Sequence, residues 1–242
     1  MVKSGITRRR LLASTPILAV GSFGLPALGR SYRGSLPWEP DDASPPIPER
    51  AGPWLYFTAD EAAAVEAIAD RLIPPDDSGP GGKQVGCAVF IDRQLAGSFG
   101  DSSGLYMRPP FANGTPSQGL QSPIVPKERY RISLAALEDY CKARFAGKVF
   151  VALTAVQQDQ VLAGLETGEI KLNNGDGKLF FDTILANTIE GFFADPIYGG
   201  NRDMASWKMV GYPGLPATYR EEIKTYFGKK YDKPPRSIAD FT

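Results

Sequence analysis

The chain has 242 residues, enough for one domain with a hydrophobic core, and its 27 lysines and arginines balance 27 aspartates and glutamates. It has no histidine, which excludes a Ser-His-Asp triad, a Cys-His pair and histidine-ligated haem or zinc within this chain. Two cysteines cannot hold an iron–sulfur cluster or a structural zinc alone, and the balanced charge is not typical of a nucleic-acid-binding protein. These exclusions favour a non-catalytic role.

Residues 1–29 have the three parts of an export signal: a basic start, an uncharged stretch and a small-residue end. Arg8 and Arg9, followed by Leu11 and Leu12, resemble the twin-arginine signal, whose cargo crosses the membrane already folded. The alternative is a transmembrane anchor, but the prolines and glycines of this stretch make it a poor one. We therefore expect export to the periplasm, with Gly29 as a candidate cleavage point.

Residues 30–57 are rich in proline, serine and charge, which predicts an extended arm without a core of its own. Large aromatic residues are nevertheless scattered through it, including Trp38, Trp54, Tyr56 and Phe57. Such an arm is expected to lie on a surface, either that of its own domain or that of a partner.

Residues 58–228 predict an all-α domain, an irregular bundle of five or six helices joined by long loops, followed by a frayed or draped tail over 229–242. Thr58 with Glu61, and Thr154 with Gln157, have the spacing of capping boxes at helix starts. In chain order, the first predicted helix begins at Thr58, the second spans residues 87–96, the third spans Lys127–Phe145, the fourth begins at Thr154, the fifth spans Lys178–Phe193 and the sixth begins at Thr218.

A long irregular stretch over residues 99–126 separates two of these helices and is unusual inside a compact domain unless it has a function. Its centre runs from Tyr106 to Phe111 and combines aromatic residues with methionine, arginine and two prolines. It could line a ligand pocket, but this composition favours a protein–protein interface.

A second irregular segment, residues 192–214, holds the best candidates for chemistry. Asp195 could act as a general base, with Tyr198 or Arg202 orienting a substrate. An aspartate before proline is more often a turn former that accepts nearby backbone N–H groups, and we favour that interpretation. Weaker alternatives are an anion cradle at residues 199–201 and calcium-binding turns at residues 76–77 and 173–176.

The two cysteines are Cys87 and Cys141, both in predicted helices. An oxidising compartment favours a disulfide between them. The alternative is that one pairs with a partner chain while the other is buried and free.

The second irregular segment resembles the signature of the gluconate 2-dehydrogenase subunit 3 family. The twin-arginine start and the early Phe57–Glu61 segment agree with it, and the resemblance spans most of residues 55–216. The matching parts are Glu190–Phe193, Asp195–Asp203, Trp207-Lys208 and Gly211–Gly214.

This resemblance implies a small, or gamma, subunit of membrane-bound sugar and polyol dehydrogenases that carries no redox centre. The large partner would be an FAD flavoprotein of the glucose-methanol-choline type, with or without an iron–sulfur cluster, and a multihaem cytochrome c subunit would take the electrons. The small subunit would stabilise the folded flavoprotein, lend it the export signal, and sit at the periplasmic face of the inner membrane through its partners.

Contact with the large subunit is expected through the aromatic loop or the signature segment. The candidate contact residues are Tyr106, Phe111, Tyr198, Asn201, Arg202, Trp207 and Tyr212. The alternative function is a stand-alone periplasmic ligand-binding protein, or a carboxylate-based enzyme that uses Asp195, Tyr198 and Arg202.

Overall fold

The computed structural model describes residues 49, 52–112, 114–215 and 219–241, so the predicted export signal and most of the arm lie outside the described residues. Those ranges contain seven α-helices and no strand, which confirms the all-α class. The count exceeds the predicted five or six because a short helix follows the signature segment's glycine pair. The helices are α1 Ala59–Leu72, α2 Cys87–Ala96, α3 Pro126–Arg144, α4 Ala155–Glu166, α5 Gly177–Phe193, α6 Ala205–Val210 and α7 Arg220–Thr225.

Both predicted capping boxes form. At the start of α1, Thr58 Oγ1 accepts from the Glu61 N–H at 3.3 Å, while the Thr58 N–H donates to the Glu61 carboxylate at 2.9 Å. Thr154 and Gln157 make the same exchange at α4, at 3.3 and 3.0 Å. Each box satisfies two N–H groups that the first turn of a helix leaves without partners. The predicted cap at residue 218 lies outside the described residues, and α7 begins at Arg220.

Helix α5 is the centre of the bundle and packs against α1, α2, α3, α4 and α6. Its buried residues include adjacent pairs, Phe180-Phe181 and Asn187-Thr188, so a wide sector of its surface faces protein. A helix buried over so much of its circumference needs an apolar sequence, and this is the property that made the segment predictable.

The main core forms where α3 and α5 meet. Tyr130 is fully buried, its ring lies 5.9 Å from that of Phe180 at a near-perpendicular angle, and Phe57 packs at 6.2 Å. The Tyr130 phenol oxygen accepts a hydrogen bond from the Asn187 side chain at 2.8 Å. Burial raises the pKa of Tyr130 well above its usual range, so the phenol stays neutral and bonded inside the core.

The last residues of the arm dock on the domain through Asp92, a residue that no sequence motif marks. This carboxylate is fully buried and accepts from the backbone N–H groups of Leu55, Tyr56 and Phe57 at 2.8, 2.9 and 2.9 Å. Arg93 also pairs with it. A buried charge needs this many partners, so Asp92 fastens the arm to α2. This part of the arm lies on its own domain.

From Arg236 onward, the predicted tail is draped over the domain. The Arg236 N–H donates to the Pro213 carbonyl at 3.1 Å, and the Leu215 N–H donates to the Arg236 carbonyl at 2.9 Å. These bonds hold the tail against the end of the signature segment. Within the described ranges, no helix combines the length and apolarity required to cross a bilayer.

Candidate functional site

Asp195, the candidate base, is a buried structural hub. One carboxylate oxygen accepts from the Ile197 N–H at 3.0 Å and from the Ser237 hydroxyl at 2.7 Å, and the other accepts from the Ile238 N–H at 2.9 Å. The first bond is the Asp-Pro turn that the sequence favoured, and the other two bind the tail. Asp195 lines the groove described below, but only 5% of its surface is exposed and both carboxylate oxygens already accept hydrogen bonds. These bonds favour the structural interpretation of Asp195 over the general base.

Asn201 and Trp207 close the carboxyl end of α5. The Asn201 amide donates to the Ala194 carbonyl and the Trp207 indole donates to the Phe193 carbonyl, both at 2.9 Å. The last carbonyls of a helix have no partner within it, so these side chains act as a distant cap. Asn201 is fully buried and Trp207 nearly so. The fully buried Asn201 therefore has no surface for a partner, while Trp207 remains a predicted contact residue because it lines the groove described below.

The hydrogen bonds around residues 199–201 do not support the hypothesis of an anion cradle there. The Asn201 side-chain oxygen accepts from the Ser206 N–H at 3.0 Å and from the Ser206 hydroxyl at 2.6 Å, so it caps the start of α6 from within. Asn201, Asp203 and Met204 all have positive φ, a region that non-glycine residues adopt at a cost. The buried Asn201 network holds this tight backbone in place.

Two glycines of the signature are required by close approach of the backbone. A Cβ added to Gly200 would lie 2.1 Å from the Gly191 carbonyl oxygen of α5. One added to Gly214, whose φ is +80°, would lie 2.1 Å from the Arg236 carbonyl oxygen. Neither position has space for a side chain. The glycines therefore serve packing of the loop on α5 and of the tail on the loop.

An apolar groove remains on the outer side of the signature segment. It is about 560 Å³ in volume, with Trp207 and Ile238 among its lining. The Tyr212 ring meets the indole of Trp207 edge-on at 5.2 Å. The exposed apolar residues that line the groove are Phe193, Tyr198, Val210, Tyr212 and Leu215. Two of the predicted contact residues, Tyr198 and Tyr212, are thus accessible here, and the exposed Arg202 is also accessible.

The second predicted contact region, the loop over residues 99–126, leaves the bundle and returns to the same point. The Lys127 N–H donates to the Gly100 carbonyl at 3.2 Å, and the Lys127 ammonium pairs with Asp101. The Tyr56 hydroxyl donates to the Lys127 carbonyl. The base of the loop is therefore clamped to the domain.

Beyond its base, the loop exposes apolar side chains. Tyr106 is 81% exposed and Leu105 is 69% exposed, while Phe111 is half-buried. Between residues 102 and 125 the only charged side chain is that of Arg108. The hydrogen bonds described for residues 106–121 join loop residues to one another. An aromatic surface with a single arginine is typical of the centre of a protein–protein interface.

The predicted disulfide does not form. Cys87 and Cys141 are both buried free thiols, and they belong to different apolar clusters. Burial raises the pKa of each to about 12. The Cys87 thiol donates to the Thr188 carbonyl of α5 at 3.4 Å. Neither thiol reaches the surface, so an exposed cysteine for pairing with a partner chain is also absent from the described residues.

The aspartates of the two candidate calcium turns are used for local backbone hydrogen bonds. Asp76 accepts from the N–H groups of Ser78 and Gly79 at 2.8 and 3.2 Å, and Asp176 caps α5 by accepting from the Leu179 N–H at 3.0 Å. Nowhere in the described ranges do three cysteine or acidic side chains converge as a metal site would require.

The gluconate 2-dehydrogenase subunit 3 family matches residues 59–214, which run from α1 to the end of the signature segment. The chain belongs to this family. It is accordingly one subunit of a multi-subunit dehydrogenase complex. No curated protein and no solved structure matches the chain.

Proposed function

We propose that this subunit has no catalytic centre and that it stabilises a folded FAD-dependent flavoprotein of the glucose-methanol-choline type and carries it through twin-arginine export. The complex oxidises a sugar, a polyol or gluconate in the periplasm. FAD, with or without an iron–sulfur cluster, belongs to the large subunit, and a multihaem cytochrome c subunit accepts the electrons. The family match over residues 59–214 is the observation that carries this proposal.

The use of the polar groups in the signature segment supports a non-catalytic role. The polar groups of Asp195, Asn201 and Trp207 form hydrogen bonds with the backbone and side chains of their own chain. A catalytic carboxylate must instead reach the substrate. These bonds support the proposal that the signature segment of this chain forms a rigid surface rather than a reaction centre.

The exposed apolar loop supports a role in binding. In the isolated subunit, Tyr106 and Leu105 are exposed to water. Full burial of a large apolar side chain is favourable by about 1.5–3 kcal/mol, so a partner that covers the loop would gain this free energy. We assign the main contact with the flavoprotein to the loop around Tyr106 and Phe111, and a second contact to the groove walls at Tyr198 and Tyr212.

The carrier role is tested by export of the partner. Both subunits are co-expressed, and flavoprotein activity is measured in periplasmic and cytoplasmic fractions. Changing Arg8→Lys together with Arg9→Lys should leave the activity in the cytoplasm, because the paired arginines are the recognised part of the signal. Activity that still reaches the periplasm with this variant would show that the flavoprotein is exported independently.

The non-catalytic role is tested by purification of the chain alone. We expect no turnover of sugars, polyols or gluconate with artificial electron acceptors, and full turnover only when the flavoprotein is present. Intrinsic turnover by the purified chain, lost in Asp195→Asn, would favour the stand-alone enzyme instead.

A further inference from the structure

Residues 219–236 form a projection beyond the part of the chain that the family match covers. Its base is closed next to the signature segment by the two backbone hydrogen bonds that join Arg236 to Pro213 and Leu215. We call these residues the carboxyl-terminal projection. Because they lie outside residues 59–214, their role is separate from what the family match supports.

The projection has a small interior made of tyrosines. The rings of Tyr226 and Tyr231 meet edge-on at 4.9 Å, and Tyr219 packs on Tyr231 at 6.3 Å. The Lys233 ammonium lies 5.5 Å from the centre of the Tyr226 ring and pairs with Glu222 at 3.1 Å. These contacts give the projection a defined shape and support its tip.

The tip is a tight turn that presents an aromatic side chain to solvent. The Lys229 N–H donates to the Tyr226 carbonyl at 2.8 Å, and Gly228 takes the positive φ of +70° that such a turn requires. Phe227 at the apex is 87% exposed, the highest value for any large hydrophobic residue in the described ranges. Ile223, four residues earlier, is 66% exposed.

Positive charge surrounds this apolar tip. The projection contains six lysines and arginines but only three carboxylates, whereas the whole chain is balanced. Lys224, Lys229 and Lys230 are exposed within three residues of Phe227. Lysine is depleted in protein–protein interfaces, while elements that lie on membranes combine lysines with protruding aromatic residues.

We propose that the carboxyl-terminal projection docks directly on an anionic phospholipid surface. Phe227 and Ile223 enter the boundary between headgroups and acyl chains, and Lys229 and Lys230 lie against the lipid phosphates. This contact goes beyond the proposed function, and it differs from the expectation that the subunit reaches the membrane only through its partners. It also differs from the aromatic loop over residues 99–126, where Arg108 is the only charge between residues 102 and 125.

The test is co-sedimentation of the full-length chain with phosphatidylglycerol–phosphatidylcholine vesicles. All variants carry Arg8→Gln, Arg9→Gln and Arg10→Gln, so that the basic start of the chain does not attract the vesicles. Phe227→Ala should weaken binding at least about tenfold, since a buried aromatic side chain is the main apolar contact. The pair Lys229→Ala and Lys230→Ala should weaken it roughly 30-fold at low salt.

Tyr106→Ala is the matched control, because it removes another exposed aromatic from a different surface and should leave vesicle binding unchanged. Phe227→Ala should keep the melting temperature of its parent, since Phe227 is almost fully exposed. Equal binding to pure phosphatidylcholine, or unchanged binding by both projection variants, would overturn the proposal. Loss of flavoprotein capture by these variants, with vesicle binding intact, would overturn it in favour of a protein-docking role.

Discussion

The signature segment over residues 192–214 and the loop over residues 99–126 have the same kind of sequence but opposite surroundings. Both are rich in glycine, proline and aromatic residues, and neither has helical periodicity. In the signature segment, Trp207 and Asn201 are buried and hydrogen-bonded to the end of α5. In the loop, Tyr106 and Leu105 project into solvent. Composition therefore predicts an irregular backbone in both segments. Only the tertiary contacts show whether the side chains of such a segment are buried in the domain or exposed to solvent.

This contrast changes how the family signature is interpreted. A specific motif of glycine, aspartate, asparagine and tryptophan invites assignment as a reaction centre. Here Asp195 binds the tail, Gly200 allows contact with α5, and Trp207 caps the same helix. A motif can be specific because several backbone segments must meet in one place, without any contact to a substrate.

The largest expected effect follows from removing Trp207. Trp207→Ala should lower the free energy of unfolding by about 3–5 kcal/mol, because it leaves a cavity and an unpaired Phe193 carbonyl. Tyr106→Ala, the matched change in the loop, should alter it by less than about 0.5 kcal/mol. Urea denaturation of both variants measures the difference. Equal effects would show that the two regions are not used differently.

The next effect concerns the two regions' glycines. Gly200→Ala should cost about 2–3 kcal/mol or more, because the added Cβ would lie 2.1 Å from the Gly191 carbonyl oxygen, which is backbone and can move little. Gly104→Ala is the control: its added Cβ would have no atom within 4 Å, and its stability should be nearly unchanged. A tolerated Gly200→Ala would refute the close approach of the loop to α5.

The third prediction concerns binding instead of stability. Tyr106→Ala with Phe111→Ala should reduce affinity for the flavoprotein subunit by about 2 kcal/mol or more, as expected for aromatic residues central to an interface. Titration of the co-expressed partner in a pull-down or by calorimetry measures it. Val156→Ala, another exposed apolar position, on α4, is the control and should bind normally. Unchanged affinity in the double variant would remove the loop from the interface.

The smallest expected effect concerns the reactivity of the two cysteine thiols. Burial raises the pKa of Cys87 and of Cys141 to about 12, so both stay protonated and inaccessible at pH 8. A thiol reagent should label neither in the native protein and both after unfolding without reductant. Absence of labelling after unfolding would show that they form a disulfide.

The helices were predictable because their signals are local. The partners in both capping boxes are three residues apart, and the apolar pattern of α5 lies within one segment. The additional helix, α6, was not among the predicted helices because it has only six residues and is preceded by positive-φ residues. Such a short helix carries too little periodicity to be recognised.

The roles of the buried polar residues could not be predicted, because their partners are distant in sequence. Asp92 binds backbone groups 35 to 37 residues earlier, and Asp195 binds Ser237, which is 42 residues later. The one local signal for Asp92 was its position between Ile91 and Leu95, on the apolar side of α2. A charge on such a face indicates a buried partner but does not identify it.

Amide hydrogen exchange of the subunit, alone and bound to the co-expressed flavoprotein, tests the central claim most directly. We predict that binding slows exchange in residues 105–111. The amides of residues 201–207 should show little change, because they are already held within the domain. No complex, or new protection confined to surfaces away from residues 105–111, would contradict the account of this subunit as a flavoprotein escort that binds through its aromatic loop.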